Sequence, residues 1–313
     1  MGGNSSGMSG TASVSVIIPT YNYGAFVGRA IESCLRQTHA DVEIIVVDDG
    51  STDDTPQVVA QFGDRIRSLR QDNAGVSAAR NRGLEAARGA FVAFLDADDY
   101  LTPDSVERRL KALLQSPDAA LVVSAWYEQR DGTEERRCRS KFKQDVVSDR
   151  FSEWLLRKQF GFATCTAMAP GDLARQFPFP AHISNGEDIA YFAKLCFGRK
   201  ACWLTHPTAV VTRHPGSLRH DIARIRRQEL ALVQTIFDDP FYGGALEPLR
   251  REFTAGRCLS LFRSLYQAGD GVAARGYYLE ALRQRPASIL RLGYLGKFLR
   301  LALGMGPRRR DGH

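Results

Sequence analysis

The chain has 313 residues, 44% of them hydrophobic, and a formal charge of +7, enough for one large domain or a domain with an appendage around a sizeable core. No stretch approaches the roughly 18 uncharged apolar residues of a spanning helix. Six cysteines without a CxxC pair or a close histidine speak against a zinc site and a disulfide framework and for a reducing, cytoplasmic setting.

Residues 1–12, MGGNSSGMSGTA, read as a floppy leader with no basic start and no apolar run. VSVIIP (Val14–Pro19), VEIIVVDDG (Val42–Gly50), RIRSLR (Arg65–Arg70) and AFVAFLDADD (Ala90–Asp99) are short β-branched or aromatic runs that end in turn residues, and are predicted strands. Helical patterns alternate with them. Phe26, Ile31, Cys34 and Leu35 mark the first, and Ser51-Thr-Asp-Asp54 supplies a capping box for the second. The third runs from about Val76 to Ala87, and the fourth follows Pro103 with Val106, Leu110, Leu113 and Leu114 on one face. This alternation predicts an α/β fold with a mostly parallel sheet flanked by helices, in which ligands gather at the carboxyl ends of the strands.

The second half has a weaker pattern. LVVSAWYEQRDG resembles an edge hairpin, a helix is expected at about Glu187–Phe197, and a strand ends in VVTRHPGS. From about Ser217 the pattern is helical, at roughly 217–237, 245–267, 271–284 and 287–303. SLYQAGDGVAARGYYLEALRQRPAS has the look of one tetratricopeptide-type hairpin, which cannot bury its own face and must pack on the rest. Residues 241–313 hold 13 Lys+Arg against 5 Asp+Glu, so the other 240 residues hold 29 and 30 and are near neutral. No nucleic-acid module accompanies the terminal arginines, and no nucleic-acid partner is expected. ILRLGYLGKFLRLALGMGPRRR is apolar around most of its circumference with cations interspersed. It fits either an interfacial segment on an anionic membrane or a core-packing last helix.

Three polar clusters fall at predicted strand ends: Pro19-Thr-Tyr21-Asn22, Asp48-Asp49 and Asp96-Ala-Asp98-Asp99. Three acids in four positions repel one another unless a positive group sits among them, and an oxygen-only set of this kind suits Mg²⁺ or Mn²⁺. GxxxxGK[ST] is absent, and no GxGxxG follows the first strand. A phosphate-bearing ligand would therefore be held mainly through the cation, which points to a nucleoside diphosphate.

VSVIIPTYNYGAFVGRAIESCLRQTH, VEIIVVDDGSTDDT, NAGVSAARNRGL and GAFVAFLDADD, in that order, resemble the motifs of the inverting family-2 glycosyltransferases with the nucleotide-sugar-binding GT-A fold. The resemblance is strong over about 13–125 and looser to about 220. It implies a 13–220 transferase domain, with a nucleotide-binding half at about 13–125 and an acceptor half at about 126–220, followed by a helical extension over 221–313 with a basic apolar tail. It further implies that Pro19 and Tyr21 line the base pocket with Tyr21 against a pyrimidine, and that Asp49 accepts a hydrogen bond from the base. Asn73 and Arg80 shape the donor pocket, Arg80 beside the diphosphate or as a buttress of the acidic loop. Asp98 is the metal ligand, Asp96 the ribose or sugar contact, and Asp99 an orienting acid. Asp188, supported by Glu187, matches the family's base, the alternative being an acidic pair that complements a helix dipole. His214 is a second candidate metal ligand, with His206 a weaker competitor. The function implied is transfer from a UDP-sugar to a glycan or lipid-linked saccharide of a bacterial envelope, in the cytoplasm or at the cytoplasmic face of the inner membrane. A non-catalytic nucleotide-sugar or glycan-binding protein on the same fold is the alternative.

Overall fold

The run predicted as a strand at Val14 forms, and a large sheet is built on it. The computed structural model describes residues 12–158, 161–183, 185–214 and 230–305. In chain order the elements are β1 (Val14–Thr20), α1 (Gly24–Leu35), β2 (Val42–Asp48), α2 (Thr55–Ala60), β3 (Arg67–Arg70), α3 (Val76–Ala86), β4 (Phe91–Phe94), β5 (Tyr100–Leu101), α4 (Ser105–Gln115), β6 (Ala119–Ser124), β7 (Trp126–Arg130), β8 (Arg136–Arg139) and β9 (Val146–Ser148). There follow α5 (Phe151–Leu156), β10 (Met168–Pro170), α6 (Gly171–Gln176), α7 (Glu187–Cys196), β11 (Lys200–Leu204), β12 (Ala209–Arg213), α8 (Ala231–Phe237), α9 (Glu247–Gln267), α10 (Gly271–Gln284) and α11 (Leu292–Ala302). These divide into two compact units. One comprises the chain up to Asp149 with Phe162–Pro178 and Arg199–Arg213, the other Arg150–Gly161, Phe179–Gly198 and the chain from His214 on. Residues 150–161 and 179–198, which fall inside the expected 13–220 domain, thus group with the C-terminal helices.

In the first unit an eight-stranded sheet runs β3-β2-β1-β4-β10-β6-β11-β9, and a four-stranded sheet runs β5-β12-β7-β8. β3, β2, β1 and β4 are all parallel, with Ile17 opposite Ile45 and Thr20 opposite Asp48. Parallel strands covered on both faces need unbroken apolar runs, and every residue of β1 is buried. The chain proceeds from β1 outward to β2 and β3, then returns to place β4 on the other side of β1. That reversal creates the crevice in which this kind of sheet binds ligands.

Several expectations shift for local reasons. Gly63–Arg65 forms a 3-10 turn, so β3 starts at Arg67 and not Arg65. β4 stops at Phe94 because the Asp99 amide folds back to the Asp96 carbonyl at 3.0 Å. The capping box does not form. Asp54 is the N-cap of α2 without a side-chain bond, while Asp53 accepts from the Thr55 amide at 3.0 Å and the Gly24 amide at 3.1 Å. The stretch expected as an edge hairpin separates into β6, interior between β10 and β11, and β7, which turns onto β8. Arg109, fully buried on α4, donates to the carbonyls of Ser105, Cys165 and Ala167 and to Ser105 Oγ, which fastens α4 to the strand-poor 164–167 segment. Burial pulls its guanidinium down to about 10.

In the second unit, α9 and α10 form the expected antiparallel pair. Cys258, Leu259, Phe262, Leu265 and Tyr266 pack on Ala274, Tyr278 and Ala281. Gly269 and Asp270 make the turn, with the Asp270 carboxylate accepting from the Ala273 amide at 3.1 Å as an N-cap. The last expected helix, 287–303, is a 3-10 turn over Pro286–Leu290 followed by α11. Of the helix expected at 217–237, α8 is seen, and 215–229 lie outside the described residues.

Candidate active site

Three loops at the carboxyl ends of β1, β2 and β3 are tied to one another in the first unit. Asn22, at φ 56°, accepts from the Thr52 amide at 2.8 Å and donates its own amide to Ser51 Oγ at 2.9 Å. The Asp48 carboxylate takes the Ser51 amide at 2.9 Å and Arg70 Nη1 at 2.5 Å. Asp49, 3% exposed, accepts from Gln71 Nε2 (2.8 Å) and the Ala74 amide (2.9 Å) on Oδ1 and from the Gly75 amide (2.8 Å) on Oδ2. Gly50 stands at φ +79°, where an added Cβ would meet the Asn73 amide nitrogen at 2.9 Å, so only glycine allows this approach. Pro19 lies within the buried length of β1, opposite Val47. Tyr21, just past the strand, is 42% exposed, and Asn73 is exposed on the loop after β3. An aromatic face held beside ordered backbone and a buried carboxylate is a setting in which a flat heterocycle can stack.

The acidic loop follows β4 on the other side of β1. Asp96 and Asp98 are half-buried and Asp99 is 5% exposed. Arg80, 3% exposed on α3, pairs with Asp96 Oδ1 at 2.7 Å, which makes it the buttress of the loop. Asp99 faces inward and accepts from the Thr212 amide at 2.9 Å and from the Cys165 thiol. Burial first, then the charges of Asp98 and Asp96, push its carboxyl well above the ordinary range. Arg29 crosses the same joint. Its Nη2 donates to the Asp98 carbonyl at 3.1 Å and to Thr212 Oγ1 at 2.9 Å, with the guanidinium 4.7 Å from the Tyr100 ring centre. The acidic loop is therefore sewn to β12 by both the amide and the hydroxyl of one threonine. Arg29 lies inside the first motif and Thr212 inside VVTRHPGS, but sequence reasoning gives neither them nor Cys165 a role, which only the long-range hydrogen bonds reveal.

Among the described residues, no group of three or more Asp, Glu, His or Cys side chains converges on one point. A cation at this rim would draw on one or two carboxylates and on donor oxygens. Asp98 offers a carboxylate of the kind Mg²⁺ or Mn²⁺ takes, while Asp96 is held by Arg80 at 2.7 Å. His214 follows β12 directly and is half-buried, and the residues after it lie outside the described set. His206 instead stands 3.5 Å from Asp104 at the start of α4. A cavity of about 290 Å³ is lined by Asp48, Pro56, Val59, Ile66 and Arg70 among others and by none of Tyr21, Asp96 or Asp98.

In the second unit, Gly186 at φ +91° turns the chain into α7, whose first residues are Glu187 and Asp188. Glu187 is 9% exposed, and Asp188 is half-buried with Oδ1 accepting from the Ile189 amide at 2.8 Å. Asp188 thus serves the helix end, as the dipole alternative expects. Arg257, 7% exposed on α9, carries attractive interactions with both acids and donates to Asn185 Oδ1 at 3.3 Å. Burial lowers its guanidinium despite those acids. Sequence reasoning did not find Arg257, which lies 69 residues beyond Asp188 with no motif around it.

Residues 15–170 match the model of glycosyl transferase family 2. An uncharacterized glycosyltransferase of Nostoc sp. is 48% identical over 114 residues, 35% of this chain and 35% of that protein. The chain spans about a third of the length of curated relatives of this kind. Among solved structures, S. aureus TarS 1-349 in complex with UDP-GlcNAc superposes with a TM-score of 0.58 at 17% identity, covering 94% of this chain and 92% of that one. The mannosyltransferase PcManGT of Pyrobaculum calidifontis, in complex with GDP-Man and Mn2+, gives 0.54 at 22% identity over 94% and 85%. The fold is the mixed α/β GT-A type that these proteins share.

Proposed function

Residues 15–170 form a family-2 glycosyltransferase domain, and we propose that the chain moves a sugar with inversion from a metal-bound UDP-sugar to a hydroxyl of a glycan or lipid-linked saccharide. The observation that carries this reading is the joined rim. An exposed aromatic and a buried carboxylate follow β1 and β2, and an acid pair braced by Arg80 follows β4, all at the carboxyl ends of neighbouring parallel strands where the strand order reverses. Tyr21 stacks on the pyrimidine. Asp49 Oδ2, which holds one protein donor, accepts the imide N–H of the base. Pro19 supports that pocket from within β1, and Asn73 borders it. Asp98 holds Mn²⁺ or Mg²⁺, with His214 as a further ligand, and Asp96 contacts the ribose or sugar. When bound, the metal stabilises charge developing on the diphosphate. Asp188, supported by Glu187, takes the proton of the acceptor hydroxyl as its oxygen bonds to the anomeric carbon and the bond to the diphosphate breaks. One carboxylate suffices for such a displacement. Neighbours that bind UDP-GlcNAc, or GDP-Man with Mn2+, lend support to a nucleotide-sugar donor.

We assign the acceptor to bacterial cell-envelope polysaccharide synthesis and the protein to the cytoplasm or to the cytoplasmic face of the inner membrane. The six cysteines form no disulfide, and among the described residues no helix is long and apolar enough to cross a membrane. The test is a thermal-shift panel of UDP-, dTDP- and GDP-sugars with and without Mn²⁺. A donor at 100 times its Kd adds about 2.7 kcal/mol to stability. The expected result is a metal-dependent shift with one UDP-sugar. A shift without any transfer or hydrolysis would favour the binding protein, and no shift with any donor would refute the assignment.

A further inference from the structure

We propose that the outward face of α11 docks on an anionic lipid bilayer, with the helix lying in the plane of the membrane surface. The helix has two distinct apolar faces. Tyr294, Leu295, Phe298 and Leu301 point inward against the core of α9 and α10, with Phe298 stacked on Tyr278 at 4.3 Å. At about 100° per residue, Leu292, Leu299 and Leu303 fall within about 40° of one another on a separate stripe. They are 75%, 50% and 71% exposed. Ile289 and Leu290 before the helix and Met305 after it extend the exposed patch. The sequence left open whether this helix packs on the core or meets a membrane, and its two faces serve both ends.

Charge selects the partner. Pro286–Met305 contains Arg291, Lys297 and Arg300 and no acid. Arg300 lies about 60° from Leu303 at the edge of the stripe, and Lys297 lies about 60° further round with its Nζ donating to the Gly293 carbonyl at 3.1 Å; exposed Arg291 precedes the helix, and side chains of this kind can lay their stems along apolar surface beneath lipid phosphates. A second copy of this chain is a poor occupant, since it would bring two sets of cations and no acid to the contact. Exposed leucines bordered by cations on a short helix are the composition of an interfacial segment. With 11 residues, α11 extends only about 16 Å, too short to span. The inference stands on α11 alone and can fail while the sugar chemistry holds.

The experiment is co-sedimentation of the full chain with vesicles of phosphatidylglycerol and phosphatidylcholine, and with phosphatidylcholine alone. The expected result is binding to the anionic vesicles that weakens with salt and is much poorer on the neutral ones. Leu299→Asp with Leu303→Asp should lower partitioning about tenfold or more. The thermal midpoint and turnover with a soluble acceptor should stay as in the parent. Lys297→Ala with Arg300→Ala should lower anionic binding and its salt sensitivity. Parent protein that ignores anionic vesicles, or a double aspartate variant that binds as well as the parent, would overturn the proposal. So would a dimer in solution that the double aspartate variant dissolves, which would assign the stripe to a second copy.

Discussion

Three acids in four positions end in three environments. Asp96 is paired with Arg80, Asp98 stands half-buried at the rim, and Asp99 is spent on Thr212 and Cys165. The cluster itself was plain in the sequence because like charges directly after an apolar run are hard to explain otherwise. The division of labour was not, since the partner of Asp99 lies 113 residues away. A nearby acid gives a test at this scale. Burial would raise the Asp53 carboxyl, but hydrogen bonds from Thr55 and Gly24 outweigh it and hold the group below its ordinary value. A depressed folded-state pKa contributes stability above the unfolded value and loses it as pH falls through the folded one. The parent should therefore lose stability below about pH 4 more steeply than Asp53→Asn. The group is exposed, so the difference should stay under about 1 kcal/mol. Chemical denaturation from pH 6 to 3 measures it, and parallel curves would contradict the role given to this carboxylate.

At the scale of elements, the entry to α7 is the most constrained turn beside a proposed catalytic group. Gly186 at φ +91° leaves no room for a side chain, since an added Cβ would stand 2.5 Å from Leu232 Cδ2 on α8. Gly186→Ala should cost about 2–3 kcal/mol, from the left-handed backbone and the displaced leucine. It should also lower kcat, because the same turn sets Glu187 and Asp188. The denaturation midpoint at constant m and steady-state rates check both parts. β1, β2, α1, α3, α9 and α10 were legible because each carries its own period of buried residues. β5, β9 and β10 span only two or three residues and exist through pairing with strands distant in sequence, so no local pattern announces them. α2 was misjudged at its start because Ser51 Oγ accepts from Asn22 in the loop after β1, and the Asp53 carboxylate is shared between the Thr55 amide at the start of α2 and the Gly24 amide at the start of α1.

For the molecule as a whole, the surplus of positive charge falls in residues 241–313. The acidic rim and the acid pair belong to the near-neutral remainder. That separation fits a protein whose chemistry handles an anionic donor through a cation and whose basic end meets a different partner. The central claim is metal-assisted transfer with Asp98 holding the cation and Asp188 taking the acceptor proton. The most direct measurement is turnover of the UDP-sugar with its acceptor in Mn²⁺, for the parent, Asp98→Ala and Asp188→Asn, each with and without chelator. Chelator should abolish parent activity and Mn²⁺ restore it, and Asp188→Asn should lower kcat by about 10²–10⁴-fold. Asp98→Ala should lose metal-stimulated turnover by about 10²-fold or more while remaining folded. Full activity in both variants, or turnover indifferent to chelator, would contradict the account.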